Sequence, residues 1–421
     1  LGVPDPGSPL IAGAGGSGAS PHRFRGSTLY DWMLAADPET RVLSVARKDR
    51  GAILPIGTAR AHVYWWSTDR FTTSRYYRTQ LPDFVAAWNE GFHAPSWAGR
   101  EWTLLLPESA YPEPDDMPYE GVGARRGNVF PHRLTTPDSM EFFPWMDSLT
   151  LDLALRGVDA LGLGQRQGGT DLLAVSLSTL DAIGHHFGPE SREVHDMVVR
   201  ADRWLGAFMA ELESRVPAHR ILWVLTSDHG VQSMPEHLHG LEHEDAGRVA
   251  ITPVMRRVTR PLQDRFQHTF GIELHNGIVI ADTAAMRARG IDVAAVSREL
   301  AEAVAEVPGV DGVWTPATLA AAPAADVSAR LFRRAIPPSY GWLTAAQIRD
   351  NWVMTTSVQA THGAAVAADR SVPIAFLGAA LPARRVDRKV ATVDIAPTLA
   401  RLLGITPTEA PDGTILHEVV H

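Results

Sequence analysis

The sequence predicts an α/β fold: a mainly parallel central sheet flanked by helices, with inserted cap segments. Two observations lead there. Asp171-Leu-Leu-Ala-Val-Ser-Leu177 and Ile221-Leu-Trp-Val-Leu225 are short apolar runs of the kind that form strands buried on both faces. Between them, Ser191 to about Val216 places Val194, Met197, Val198, Leu205, Phe208, Met209 and Leu212 at helical spacing. A strand, a helix and a strand in that order build a parallel, doubly covered sheet. The 421 residues suffice for one large domain of this kind, and no internal repeat divides them.

In chain order, residues 1–26 are rich in Gly, Pro and Ser and read as loop. They contain Gly13-Ala-Gly-Gly-Ser-Gly18, which fits a dinucleotide-binding pattern but has no apolar strand before it and no clear helix after it. A helix starts near Thr28 and is followed by a buried strand, Arg41–Val45. From about 52 to 135 the pattern is irregular and rich in aromatics (Tyr64, Trp65, Trp66, Phe71, Tyr76, Tyr77), with a short helix near 82–90, which suits an inserted cap. Residues 139–157 read as an amphipathic helix. After the strand–helix–strand unit, about 247 to 345 reads as a second insertion, with a strand at Gly277–Ile280 and helices near 283–306 and 345–351. The regular pattern returns with a strand at Val372–Leu377 and a helix from Asp394 to Leu403, closed by Gly404.

Composition excludes several classes of function. Hydrophobic residues make up 45% and charged residues 21%, as in soluble globular proteins. The net charge of -9, with no long Lys/Arg cluster, argues against nucleic acid as a partner. The absence of cysteine excludes disulfides, thiolate metal ligands and Cys nucleophiles. No apolar run approaches the roughly 18 residues of a membrane span. The chain opens at Leu1 without a basic-then-apolar leader and reads as beginning in mid-architecture.

Chemistry concentrates at the strand ends. Asp181 and His185 lie four apart just past a strand, so a helix there would put both side chains on one face, while His186 points off it. Alone, such a pair is an ordinary helix start. Asp228-His229-Gly230 follows the next strand, and its Gly lets the backbone turn sharply behind two adjacent donors. His362, in Thr-His-Gly, is by itself a loop histidine. Together, two Asp and three His at these topological positions resemble five ligands for two zinc ions roughly 4 Å apart. Lys48-Asp49-Arg50 ends the strand at 41–45. It is either a charged turn or a phosphate clamp, with Lys as a point charge and Arg as a bidentate fork. Two such cations suit a dianionic group, hence a phosphate monoester rather than a diester. His237, His239 and His243, beside Pro235, Gly240 and acidic neighbours, read as a polar surface loop.

These stretches resemble the alkaline phosphatase superfamily, and within it the periplasmic single-chain phosphate-monoesterases that use a Thr nucleophile and two zincs. The resemblance runs nearly end to end: Ser44–Pro55, Thr73–Tyr77 with Leu81-Pro82, the Asp181/His185 island into Phe187-Gly-Pro189, Thr226–Val231, Thr361–Gly363 and Thr392–Pro397. It implies that Asp181, His185 and His362 bind one zinc and that Asp228 and His229 bind the second. It further implies that Lys48 and Arg50 hold the transferred phosphoryl group on its way to a covalent phospho-Thr intermediate. Other divalent ions suit the same donors. The implied partners are small-molecule phosphate monoesters, and the implied location is periplasmic or secreted.

One departure accompanies the resemblance. The family has an N-terminal strand with a further Asp ligand, a Thr in a Gly-His-Ala turn, and an Asn that contacts phosphate; none has a counterpart here. The chain therefore reads as the C-terminal portion of a phosphatase, with an unpaired sheet edge, weak metal binding and little turnover by itself. Two other functions fit parts of the pattern. A phosphodiesterase or nucleotide pyrophosphatase of the same superfamily would keep the metal residues but rarely needs the Lys/Arg pair. A non-catalytic metal-binding remnant would explain the missing nucleophile.

Overall fold

The computed structural model describes residues 2–13, 15–120, 127–337, 340–355, 357 and 359–420. The elements that position the site are, in chain order, β1 (Val42–Ala46), α1 (Asp49–Ile53), β2 (His62–Ser67), β3 (Arg70–Thr72), α2 (Trp145–Leu161), β4 (Leu172–Ser176), α3 (Thr179–Phe187), α4 (Arg192–Arg215) and β5 (Trp223–Thr226). They are followed by β6 (Glu273–His275), β7 (Ile278–Ile280), α5 (Val293–Ala305), β8 (Val310–Trp314), β9 (Trp342–Ile348), α6 (Ala367–Arg370), β10 (Ile374–Leu377) and α7 (Ile395–Leu403).

The main sheet has the order β3-β2-β1-β4. β1 runs parallel to both neighbours, with Val45 opposite Tyr64 on one side and Val175 on the other, and β3 closes an antiparallel hairpin with β2. Every residue of β1 is buried, because side chains alternate between two covered faces. Leu43, Val45, Tyr64 and Trp66 pack with Leu153, Ala154 and Val158 of α2 and with Phe208 and Leu212 of α4. Val42, Ala46, Val63 and Trp65 turn the other way, onto Ala52 and Ile53 of α1. This is the mainly parallel, helix-flanked α/β architecture that the sequence predicts.

Several elements differ from the sequence reading. Part of the aromatic stretch read as irregular is β2 itself: Tyr64, Trp65 and Trp66 are buried because large rings fill both faces of a covered strand. The helix expected over 139–157 is interrupted by Pro144; a 3-10 turn at Pro137–Phe142 precedes α2, which ends at Gly162 in a left-handed conformation. The helix expected over 283–306 is two, Thr283–Ala288 and α5, separated by Gly290 at φ 71 and restarted by the Asp292 cap. The helix expected at 345–351 is strand β9. Its Ala345-Ala346-Gln347 composition favours helix locally, but Ala345 sits opposite both Ile278 and Trp314 in the antiparallel sheet β8-β9-β7-β6, and tertiary pairing overrides propensity.

β4 and β5, expected to share one ladder, do not pair with each other among the described residues. β5 pairs antiparallel with β10, placing Leu225 opposite Ala375. Each of β4 and β5 keeps one edge without a ladder partner among the described residues, and Leu225 and Leu377 stand 54% and 56% exposed. The second sheet has its own core, in which Met255, Phe270, Val279, Leu300 and Leu343 pack with Ala364 and Val366. That core anchors the turn carrying His362. Among the described residues, no helix is long and apolar enough to cross a membrane.

Candidate metal centre and phosphate site

Three strand ends and one distant turn deliver the side chains. After β4, helix α3 begins at Thr179 and places Asp181 in its first turn and His185 one turn later, with 3.2 Å between Asp181 Oδ1 and His185 Nε2. Asp147 of α2, almost fully buried, fixes that helix: its Oδ1 accepts hydrogen bonds from Thr179 N (3.2 Å) and Thr179 Oγ1 (2.6 Å). Burial pushes the Asp147 carboxyl up to about 6, against the pull of the Thr179 bonds. After β5, the 227–230 turn carries Asp228 and His229. Ser227 Oγ donates to the His229 carbonyl at 2.9 Å.

Asp181 is the hub. Its Oδ1 lies 3.2 Å from His185 Nε2, 3.4 Å from His362 Nε2 and 3.5 Å from His229 Nε2, and its Oδ2 pairs with Lys48 Nζ. Burial opposes the charge on Asp181. The bonds from His185, His362 and Lys48 outweigh it and hold the carboxyl well below the usual carboxylate range. The same Asp181 contact raises the His185 imidazole.

The rings are oriented from behind. His185 Nδ1 donates to the Ala360 carbonyl at 2.8 Å, and His229 Nδ1 donates to the Gly230 carbonyl at 3.0 Å. A carbonyl only accepts, so these bonds place the proton on Nδ1 and turn each Nε2 inward, as metal-bound histidines require. The His229 and His362 rings stack, with centroids 3.3 Å apart and planes 11° from parallel.

Of the residues singled out in the sequence, Asp181, His185, His229 and His362 thus meet around one point. Ligand atoms of Asp181, His229 and His362 all lie within 4.8 Å of one another, and His185 Nε2 is 3.2 Å from His362 Nε2. Asp228 stands at the rim, its side chain 82% exposed and its Oδ2 3.5 Å from His229 Nε2. Imidazole nitrogen with carboxylate oxygen is a donor set that suits Zn2+ and related divalent ions. Lys48 and Arg50 line a cavity of about 520 Å³ with Arg47, Trp66, Asp181 and His185. Arg50 is exposed there, while Arg47 is held by Glu141 at 2.6 Å. His237 and His239 lie in a separate helical turn and bond Tyr119 and the Ala246 carbonyl. Sequence reasoning missed Asp147 and Asp369, which stand in no motif, and gave no role to Arg47 inside the Ser44–Pro55 stretch, since each acts through the backbone or through a partner remote in sequence.

The model of the type I phosphodiesterase / nucleotide pyrophosphatase family matches residues 20–338. The chain belongs to that family. Among curated proteins it is 29% identical over 412 residues to alkaline phosphatase PhoV of Synechococcus elongatus, covering 94% of this chain and 73% of that protein. It is 30% identical to alkaline phosphatase PhoK of a Sphingomonas species, covering 94% of this chain and 72% of that protein. The crystal structure of wild-type alkaline phosphatase PafA matches with a TM-score of 0.87 at 24% identity, covering 100% of this chain and 83% of that one. The fold is therefore alkaline-phosphatase-like, and the chain is a member of the alkaline phosphatase superfamily.

Proposed function

We propose that this chain carries the metal and phosphate site of a metal-dependent phosphate-monoester hydrolase. The observation that carries the reading is the convergence of Asp181, His185, His229 and His362 beside Lys48. The four side chains would hold the metal, two Zn2+ in the full reading, with Asp228 completing the second position from the rim. Bound there, zinc supplies Lewis acidity and charge for a phosphoryl group and its leaving oxygen.

The remaining work falls to this chain's own residues. Asp181 keeps its charge, so it both neutralises the cation and anchors Lys48 at the cavity wall. Lys48 and Arg50 would take the non-bridging oxygens, the pair of cations matching a dianionic monoester better than a monoanionic diester. The nucleophile implied by the resemblance, a Thr in a Gly-His-Ala turn, has no counterpart among the 421 residues. Action in the periplasm or outside the cell belongs to the same proposal. A diester-cleaving reading draws on the matched family's description, and the Lys48/Arg50 pair weighs against it.

The test uses zinc-loaded protein with a p-nitrophenyl monoester, the corresponding bis-p-nitrophenyl diester and inorganic phosphate. Lys48→Ala should weaken phosphate binding to this chain and, in an enzyme that includes the nucleophile, monoester hydrolysis by about 10²–10³, as for loss of one charge-stabilising donor, and diester hydrolysis far less. Equal losses on both esters would sink the monoesterase assignment.

A further inference from the structure

We propose that Asp369 is a positioning residue that clasps the His229 turn to the His362 turn and so sets the spacing of their ring nitrogens. The proposal rests on the metal-centre reading above. Asp369 lies in α6 and is 3% exposed. It bonds the backbone of both turns. Its Oδ2 accepts the Ala364 N–H at 2.8 Å, and its carbonyl oxygen accepts the Gly230 N–H at 2.8 Å.

Both turns are fitted closely around this clasp. A Cβ on Gly230 would stand 2.1 Å from the Ala368 carbonyl oxygen, so that turn lies flat against α6. Gly363 has φ +100, and a Cβ there would meet the Asn276 amide at 2.6 Å, so the second turn is pinned from its far side. A buried carboxylate is costly, and Asp369 Oδ1 has no hydrogen-bond partner of its own. With the carboxylate on the His362 turn and the peptide carbonyl of the same residue on the His229 turn, Asp369 fixes where each segment places its histidine, and metal ligands tolerate only about 0.5 Å of displacement.

The experiment compares wild type, Asp369→Asn and Asp394→Asn. Asp394 is a matched control: it is 7% exposed and accepts the Ala391 and Thr414 N–H groups at 2.9 and 2.7 Å, but it stands just before α7, which carries none of the donors. The readouts are Tm without metal, Zn2+ affinity by chelator competition, and the visible spectrum of the Co2+-loaded protein. Both variants should lose Tm. Only Asp369→Asn should lose Zn2+ affinity, by about 10–100-fold as for other residues that orient ligands, and alter the Co2+ bands. Wild-type affinity and an unchanged Co2+ spectrum in Asp369→Asn would overturn the proposal. If that variant does not fold, Gly230→Ala presses on the same contact with the carboxylate intact; it should lose affinity too, and unchanged affinity overturns the proposal equally. A wild type that takes up neither metal overturns the metal centre first and the clasp with it, whereas failure of the clasp alone leaves wild-type binding intact.

Discussion

His362 Nε2 lies 3.2 Å from His185 Nε2 although 177 residues separate them. With the His185 Nδ1 proton committed to the Ala360 carbonyl, two inward nitrogens face each other across the Asp181 carboxylate. Three imidazoles and a carboxylate gathered this closely form a donor set suited to a shared cation.

Zinc should therefore stabilise the fold. At a free concentration of 100 times Kd the gain is about 2.7 kcal/mol, read as a rise in Tm that a chelator reverses. His362→Ala should abolish most of that rise while changing the metal-free Tm little. A full zinc-dependent rise in His362→Ala would remove His362 from the ligand set.

Arg50 should act on the anion and not on the metal. It is exposed and lines the cavity beside Lys48, so Arg50→Ala should weaken inorganic phosphate binding about tenfold, the loss of one charge-assisted contact of about 1.5 kcal/mol. Zinc affinity should stay at the wild-type value. Calorimetry with phosphate on the zinc-loaded protein measures the first, and chelator competition measures the second.

Glu120 should make stability fall with rising pH. Burial first, then the neighbouring Glu193 and Asp115, push its carboxyl up to about 8 from an ordinary value of 4.5. The folded state therefore binds this proton more tightly than the unfolded chain, and the stabilisation present below pH 4.5 is lost as pH rises through about 8. Glu120→Gln removes the titration. It should match wild type near pH 4 and exceed it by a few kcal/mol above pH 8, at about 1.4 kcal/mol per pKa unit. Parallel Tm curves for the two proteins across that range would refute the assignment.

Gly157 tests the packing of α2 on the sheet. A Cβ there would stand 2.3 Å from Leu43 Cδ2 and 3.2 Å from Phe84 Cε2, and Leu43 is fully buried in β1. Gly157→Ala should destabilise by roughly 1–3 kcal/mol through overpacking, despite the better helix propensity of Ala. Denaturant unfolding that shows a gain in stability would mean that β1 and α2 are farther apart than described.

The sequence by itself determined the architecture and most of the chemistry at its strand ends. Apolar runs at 41–45, 171–177 and 221–225 mark strands because burial on both faces demands it, and the four-residue step from Asp181 to His185 puts both on one helix face. The resemblance then placed the Asp-His pair and His362 in one site. Only the tertiary structure decided which donors share a hub, that Asp228 stays at the rim, and that Lys48 pairs with Asp181. It alone showed β9 as a strand, β5 on β10, Asp147 bonded to Thr179 and Asp369 bonded to Ala364. The division has a physical reason. Periodicity and turn chemistry are set by neighbours a few residues apart, whereas strand pairing and the meeting of His185 with His362 depend on how two separate cores pack. A buried carboxylate that grips backbone N–H groups leaves no mark in the sequence, because any residue at the far end can supply that N–H.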